Sequence, residues 1–167
     1  MKAGDFDGEL YKKEMIDMID RAIVRLKNEE PNFKIFTASI WTDAEAAASS
    51  IGFDDKENSL KCVENHNKFI KKYYDKYMAS GEEDMARSFK PIEEVRMRNP
   101  ADYTLRDYEE ITHKSFVDIS KRWNQLKPAL TEVGKYAFEQ IKYLNIDEGF
   151  ELSINGKNDW YDKVWKT

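Results

Sequence analysis

The stretch KIFTASIWTDAEAAASSIGFDD, residues 34–55, constrains the fold more than any other part of the chain. Its first half alternates with period two, so that Phe36, Ala38 and Ile40 share one face of an extended segment, and Ile35, Thr37, Ser39 and Trp41 the other. DAEAAASS then has the alanine content of a helix, but so short a helix is marginal in water. Ile51 and Phe53 resume the alternation, which favours a turn at Asp43 to Glu45 and a strand returning to Phe53. In that hairpin Ala46, Ala48 and Ser50 form a shallow face that a helix can approach closely.

The flanking segments read as helices and one later strand. From about Glu9 to Asn28, Met15, Ile19, Ala22 and Leu26 recur at three- and four-residue steps, with Asp5 or Asp7 as N-cap and Pro31 beyond the end. Ser59 is the expected cap of a helix to about Ala79, with Val63, Ile70, Tyr74 and Tyr77 inward. A helical turn is expected at Asp84 to Phe89, and IEEVRMRNP reads as an edge strand or a loop. Thr104 and Asp107 resemble a capping box, predicting a helix that carries Leu105, Tyr108, Thr112, Phe116, Ile119, Trp123 and Leu126 on one face. Pro128 breaks or kinks it before a helix with Leu130, Val133, Ala137, Ile141 and Leu144. Phe150, Leu152 and Ile154 predict a strand that stops at Asn155 and Gly156, and NDWYDKVW reads as a capped C-terminal helix. Grouped strands among helices argue for an α+β fold: a small, mainly antiparallel sheet including the N-terminal hairpin, packed against several amphipathic helices on mainly one side. A chain of 167 residues suits a single domain over 1–167, hiding roughly 70% of its unfolded surface.

The chemistry is sparse. A net charge of -5 argues against nucleic-acid or anionic-membrane binding, both of which draw on a basic face. Cys62 is the only cysteine, which excludes an internal disulfide and fits a reducing compartment. The acids of MKAGDFDGEL stand where a signal peptide needs an apolar run, so a cytoplasmic protein is expected. No phosphate-binding Gly-rich loop, Gly-x-Ser-x-Gly elbow, His-Glu-x-x-His or Cys-x-x-Cys is present, and no cofactor or metal is expected. Cys62 and His66 share a helical face, yet with no third group they read as a half-buried thiol beside a surface histidine. His113 reads as solvated. Trp41, Trp160, Tyr161 and Trp165 are either binding anchors or core plugs. Asp43, Glu45, Asp54, Asp55 and Glu57 cluster around the hairpin, and Asp147, Glu148, Glu151, Asp159 and Asp162 around the last strand; Lys61, Lys68, Lys71, Lys72 and Lys76 dominate the helix between. Such segregation is either an ordinary solvated surface or a device that steers a basic partner.

The layout of a long amphipathic helix, then FKIFTASIWTDAEAAASSIGFDDKENSL, then a late helix followed by LNIDEGFELSINGKNDWYDKVW, resembles small single-domain bacterial immunity proteins of polymorphic-toxin and contact-dependent growth inhibition loci. The resemblance implies a cytoplasmic inhibitor that binds a cognate toxin domain and blocks it by occlusion, without catalysis. It matches best over the first helix and hairpin and least over Glu82 to Asn99, and it carries no invariant residue across. Charge and aromatic character make Trp41, Asp54, Asp55, Glu82, Glu83, Asp84, Trp160 and Tyr161 the expected toxin-facing residues. An acidic inhibitor implies a basic toxin, nucleases among them. Two alternatives stand beside it: a small carboxylate- and tyrosine-based enzyme or ligand-binding domain, and an intracellular adaptor or homo-oligomer.

Overall fold

Asp7 starts the first helix, its carboxylate accepting a hydrogen bond from Leu10 N at 3.0 Å in the computed structural model, which describes residue 2 and residues 4–167. This helix, α1 (Gly8–Glu29), buries Met15, Ile19, Ala22 and Leu26, the stripe its spacing predicts, together with Tyr11 and Met18. The chain then forms β1 (Ile35–Asp43) and β2 (Ala48–Asp54), an antiparallel hairpin as the alternation predicts. Asp43 organises the turn by accepting from the amides of Glu45 and Ala46, and Ala47 takes a positive φ of 52° to close it.

Five strands follow the order β3-β2-β1-β4-β5, with β3 (Leu105–Thr112), β4 (Ile146–Ile154) and β5 (Lys163–Lys166). Neighbours are antiparallel except β1 and β4, which run parallel. The fold is therefore α+β with a mainly antiparallel sheet. On one face Ala38, Ile40, Ile51, Phe53, Leu152 and Ile154 join the core formed with α1 and α4 (Trp123–Ile141), where Leu126, Leu130 and Val133 are buried. The opposite face is small and polar, with Thr37, Ser39, Gly52, Glu151 and Ser153. Segment 88–104 covers it, Arg96 reaching Phe36 O and Gly149 O at 2.6 Å each, and Tyr103 Cδ2 lying 3.5 Å from where a Cβ on Gly52 would stand.

Several expectations need correction. Ala46 lies exposed in the turn, and Ala48 and Ser50 belong to the polar face, where Ser50 Oγ donates to Asp107 Oδ1 of β3 at 2.9 Å, so the shallow surface is not the seat of a helix against the core. Asp55, not Ser59, caps α2 (Lys56–Ala79); Ser59 is buried, and its hydroxyl accepts from Met97 N at 2.6 Å. Of the predicted inward stripe of α2 only Val63 is buried, while Tyr74 is exposed and Tyr77 stacks on Phe89. The helix projects beyond the sheet, followed by the short α3 (Glu83–Arg87), and IEEVRMRNP is a loop. Leu105–Thr112 is an edge strand instead of a helix, because pairing with β2 satisfies its backbone where the three- and four-residue spacing alone could not choose. Pro128 sits inside a continuous α4, and NDWYDKVW forms a loop and β5 instead of a helix.

Candidate functional site

The parallel pairing of β1 and β4 places their C-terminal ends side by side, and the chain leaving each end builds a cleft. Asn155, just past β4, fastens the two ends: its Oδ1 accepts from Thr42 N at 2.9 Å and its Nδ2 donates to Thr42 O at 3.0 Å. Trp41 on β1 and Trp160 in the β4–β5 connection then meet, ring centroids 5.4 Å apart and planes inclined at 49°. Trp123, at the start of α4, packs on the core and completes a three-tryptophan wall. The cleft encloses about 320 Å³, and Asp43, Glu45 and Asp159 stand around it against a single lysine, Lys157. Trp160 is 51% exposed, so much of its indole stays open to a ligand at the cleft.

The sequence-predicted residues divide sharply. Trp41 and Trp160 come together in this cleft. Tyr161 turns away from it, donating to Glu151 Oε2 at 2.8 Å while the Arg98 guanidinium lies 5.1 Å from its ring centroid. Asp54 is corrected from surface charge to buried carboxylate: it is fully inaccessible, accepts from Asn58 Nδ2 and Thr104 N, and burial raises its pKa. Asp55 is the α2 cap and accepts from Thr104 Oγ1. Glu82, Glu83 and Asp84 are exposed beyond the C-terminus of α2, with Glu83 and Asp84 paired to Arg87. The sequence marks Asp43 and Glu45 as acids of the hairpin turn beside Trp41, Asp159 only as a member of an acidic cluster, and Trp123 as part of a helix stripe; nothing local signals that the four converge.

A second constellation lies in the core. Tyr11, Thr42, Ser49, His113 and Glu14 form one hydrogen-bonded chain, with contacts of 2.8, 2.7, 2.7 and 2.9 Å in that order. His113, expected in solvent, is buried against Tyr11 and Phe116. Burial lowers its pKa despite the partner Glu14, and Glu14, also buried in part, is nonetheless held below the usual carboxylate range by Lys114 N, Ser115 Oγ and His113. A neutral imidazole carrying its proton on Nδ1 fits both shifts: it donates to Glu14 and accepts from Ser49 on Nε2. The carboxylate, imidazole and hydroxyl order is that of a nucleophile relay, but Ser49 is 2% exposed, so no substrate reaches its hydroxyl. Cys62 has no imidazole partner; its sulfur is nearest Asn58 Oδ1, and burial pushes the thiol pKa up, which opposes nucleophilicity.

Among the described residues no cluster of three or more His, Cys, Asp and Glu is arranged to hold a metal, and no helix is long and apolar enough to cross a membrane. A wider groove of about 990 Å³ runs between α2 and the segment around Phe89 to Val95. Its Lys68 and Lys71 are already paired with Glu64 and Asp75, and the remaining Lys90 and Glu93 are of opposite sign, so it offers apolar area without a net directed charge. The tryptophan cleft is the better-defined site, since it combines convergent aromatic faces with unpaired acids. No family model, curated protein or solved structure matches the chain.

Proposed function

We propose that this protein is an immunity protein, which binds a cognate bacterial toxin domain in the cytoplasm and neutralises it by occlusion without catalysis. The observation that carries the proposal is the cleft in which Trp41 and Trp160 stand 5.4 Å apart under the acids Asp43, Glu45 and Asp159. Large exposed aromatics supply most of the energy at many protein interfaces, and like-signed charges around them raise the encounter rate with an oppositely charged partner. The partner is then a basic domain, a class to which nucleases belong. The buried position of the Glu14–His113–Ser49 chain favours binding over the carboxylate- and tyrosine-based enzyme alternative.

Co-expression with the toxin encoded beside its gene tests the proposal. Rescue of growth together with a complex that survives gel filtration is expected. A folded protein that neither rescues growth nor co-elutes with that toxin defeats it.

A further inference from the structure

We infer that the cleft lined by the touching pair Trp41 and Trp160 is a guanidinium site, which accepts an arginine side chain of the partner on an open indole face. This rests on the immunity reading for who presents the arginine, while the chemistry comes from the cleft itself. Two indoles in mutual contact, inclined at 49°, and the indole of Trp123 line a space of about 320 Å³. That is the lower end of the usual range for ligand sites, roughly 300–1,000 Å³, and suits one side chain better than a cofactor. Indole is the best of the aromatic rings at attracting a cation to its face.

The carboxylates sharpen the choice. Asp43 Oδ1 is held by the amides of Glu45 and Ala46 at 2.9 and 2.8 Å, and Asp159 Oδ1 by Tyr161 N at 3.1 Å. Among the described residues neither Oδ2 has a hydrogen-bond or ion-pair partner, and Glu45 has none through its side chain. Both aspartates are thus oriented by the backbone while keeping an acceptor for a ligand. Three carboxylates against Lys157 repel phosphates and add nothing for a neutral sugar. A guanidinium lies flat on an indole and still donates sideways to carboxylates through its rigid fork. A lysine ammonium is a compact, strongly hydrated charge that cannot do both.

Nα-acetyl-arginine amide, its lysine analogue and maltose, each titrated into the full chain and followed through the indole N–H signals in two-dimensional NMR, test the inference. Arginine amide should shift the signals of Trp41 and Trp160 and saturate, about tenfold tighter than lysine amide and with no shift from maltose. Trp160→Ala and Asp159→Asn should each weaken it about tenfold, with Trp160→Phe in between. Because Trp160 is half exposed, circular dichroism should show these variants folded. Equal binding of the lysine analogue, saturation by maltose, or an arginine affinity untouched by both substitutions overturns the inference. Arginine binding in a protein that protects against no toxin upholds the cleft and removes the immunity reading. Toxin protection by a parent chain whose Trp41 and Trp160 signals arginine amide leaves unmoved does the reverse.

Discussion

Asn155 grips the backbone of Thr42 on both sides, Oδ1 accepting from Thr42 N and Nδ2 donating to Thr42 O, with Asn155 5% and Thr42 1% exposed. The side-chain amide replaces a further step of the β1–β4 ladder and holds the two strand ends from which the cleft departs. Asn155→Ala leaves a buried amide and a buried carbonyl unpaired, each worth roughly 1–3 kcal/mol. A loss of about 2–4 kcal/mol in urea denaturation is expected, and Asn155→Asp should recover only part of it because it keeps an acceptor and no donor. Unchanged stability in the alanine variant would show that the strand ends need no clamp.

His113 makes stability depend on pH. Its folded pKa lies below the ordinary 6.5, so the unfolded chain takes up the proton more readily; its contribution is complete above pH 6.5 and is lost as pH falls through the folded pKa. Glu14, also lowered, adds loss in the same direction below its ordinary 4.5. Asp54 acts oppositely, because its raised pKa favours the folded state below its ordinary 3.8 and withdraws that support as pH rises through the folded value. Denaturation midpoints should therefore fall from pH 7 to pH 5, and His113→Gln should flatten that slope while lowering stability at pH 7 by about 1–3 kcal/mol, through imperfect pairing of Glu14 and Ser49. A slope retained in the variant would assign the titration elsewhere.

Arg96 pins the 88–104 segment to the polar sheet face. Its guanidinium donates to Phe36 O, Thr37 Oγ1 and Gly149 O, pairs with Glu151 Oε2 at 3.2 Å, and stacks 3.7 Å from the centroid of Phe36. Both charges are buried, so Arg96→Ala should lower stability by about 3 kcal/mol or more and expose the segment to proteolysis. Arg96→Lys should not rescue it, since one ammonium cannot reach acceptors arranged for a planar fork. Protease resistance equal to the parent in both variants would contradict this.

Gly134 lies in α4, where alanine would ordinarily gain about 1 kcal/mol of helix propensity. Here an added Cβ would stand 2.5 and 2.6 Å from Trp165 Cη2 and Cζ3, and 2.8 Å from Ile154 Cγ2. Overpacking of that kind costs typically 1–3 kcal/mol and outweighs the propensity. Gly134→Ala should lower the melting temperature and red-shift tryptophan emission as Trp165 is pushed outward; a higher melting temperature would reverse the prediction.

Period and punctuation carried much of the fold. The spacing of Met15, Ile19, Ala22 and Leu26 specified α1, and the alternation on both sides of Asp43 to Glu45 specified the hairpin, because in each the buried face repeats at the period of one secondary structure. Leu105, Tyr108 and Thr112 satisfied a helical spacing equally well, yet they lie in β3, where an unpaired β2 edge and the contact of Tyr108 with Arg25, 4.2 Å from its ring centroid, supply what no local pattern records. The segment from Asn158 to Trp165 misled for the same reason: Trp165 packs against β4 and α4, Tyr161 bonds to Glu151 of β4 and Trp160 meets Trp41 of β1, instead of lining a helix of their own.

The candidate site was legible as ingredients and not as an arrangement. Sequence marked the tryptophans as binding anchors or core plugs and the hairpin as acidic, but Trp41 and Trp160 are 119 positions apart, and only the parallel register of β1 with β4 brings their loops to one end of the sheet. Burial inverted two assignments, taking His113 and Asp54 out of solvent and into hydrogen-bonded interiors. The sequence by itself determined which segments could be amphipathic, because that depends on neighbours within a turn or two. Strand order, and with it the convergence of Trp41, Asp43, Asp159 and Trp160, was decided by the tertiary structure alone, because pairing of distant strands follows from how their faces bury together.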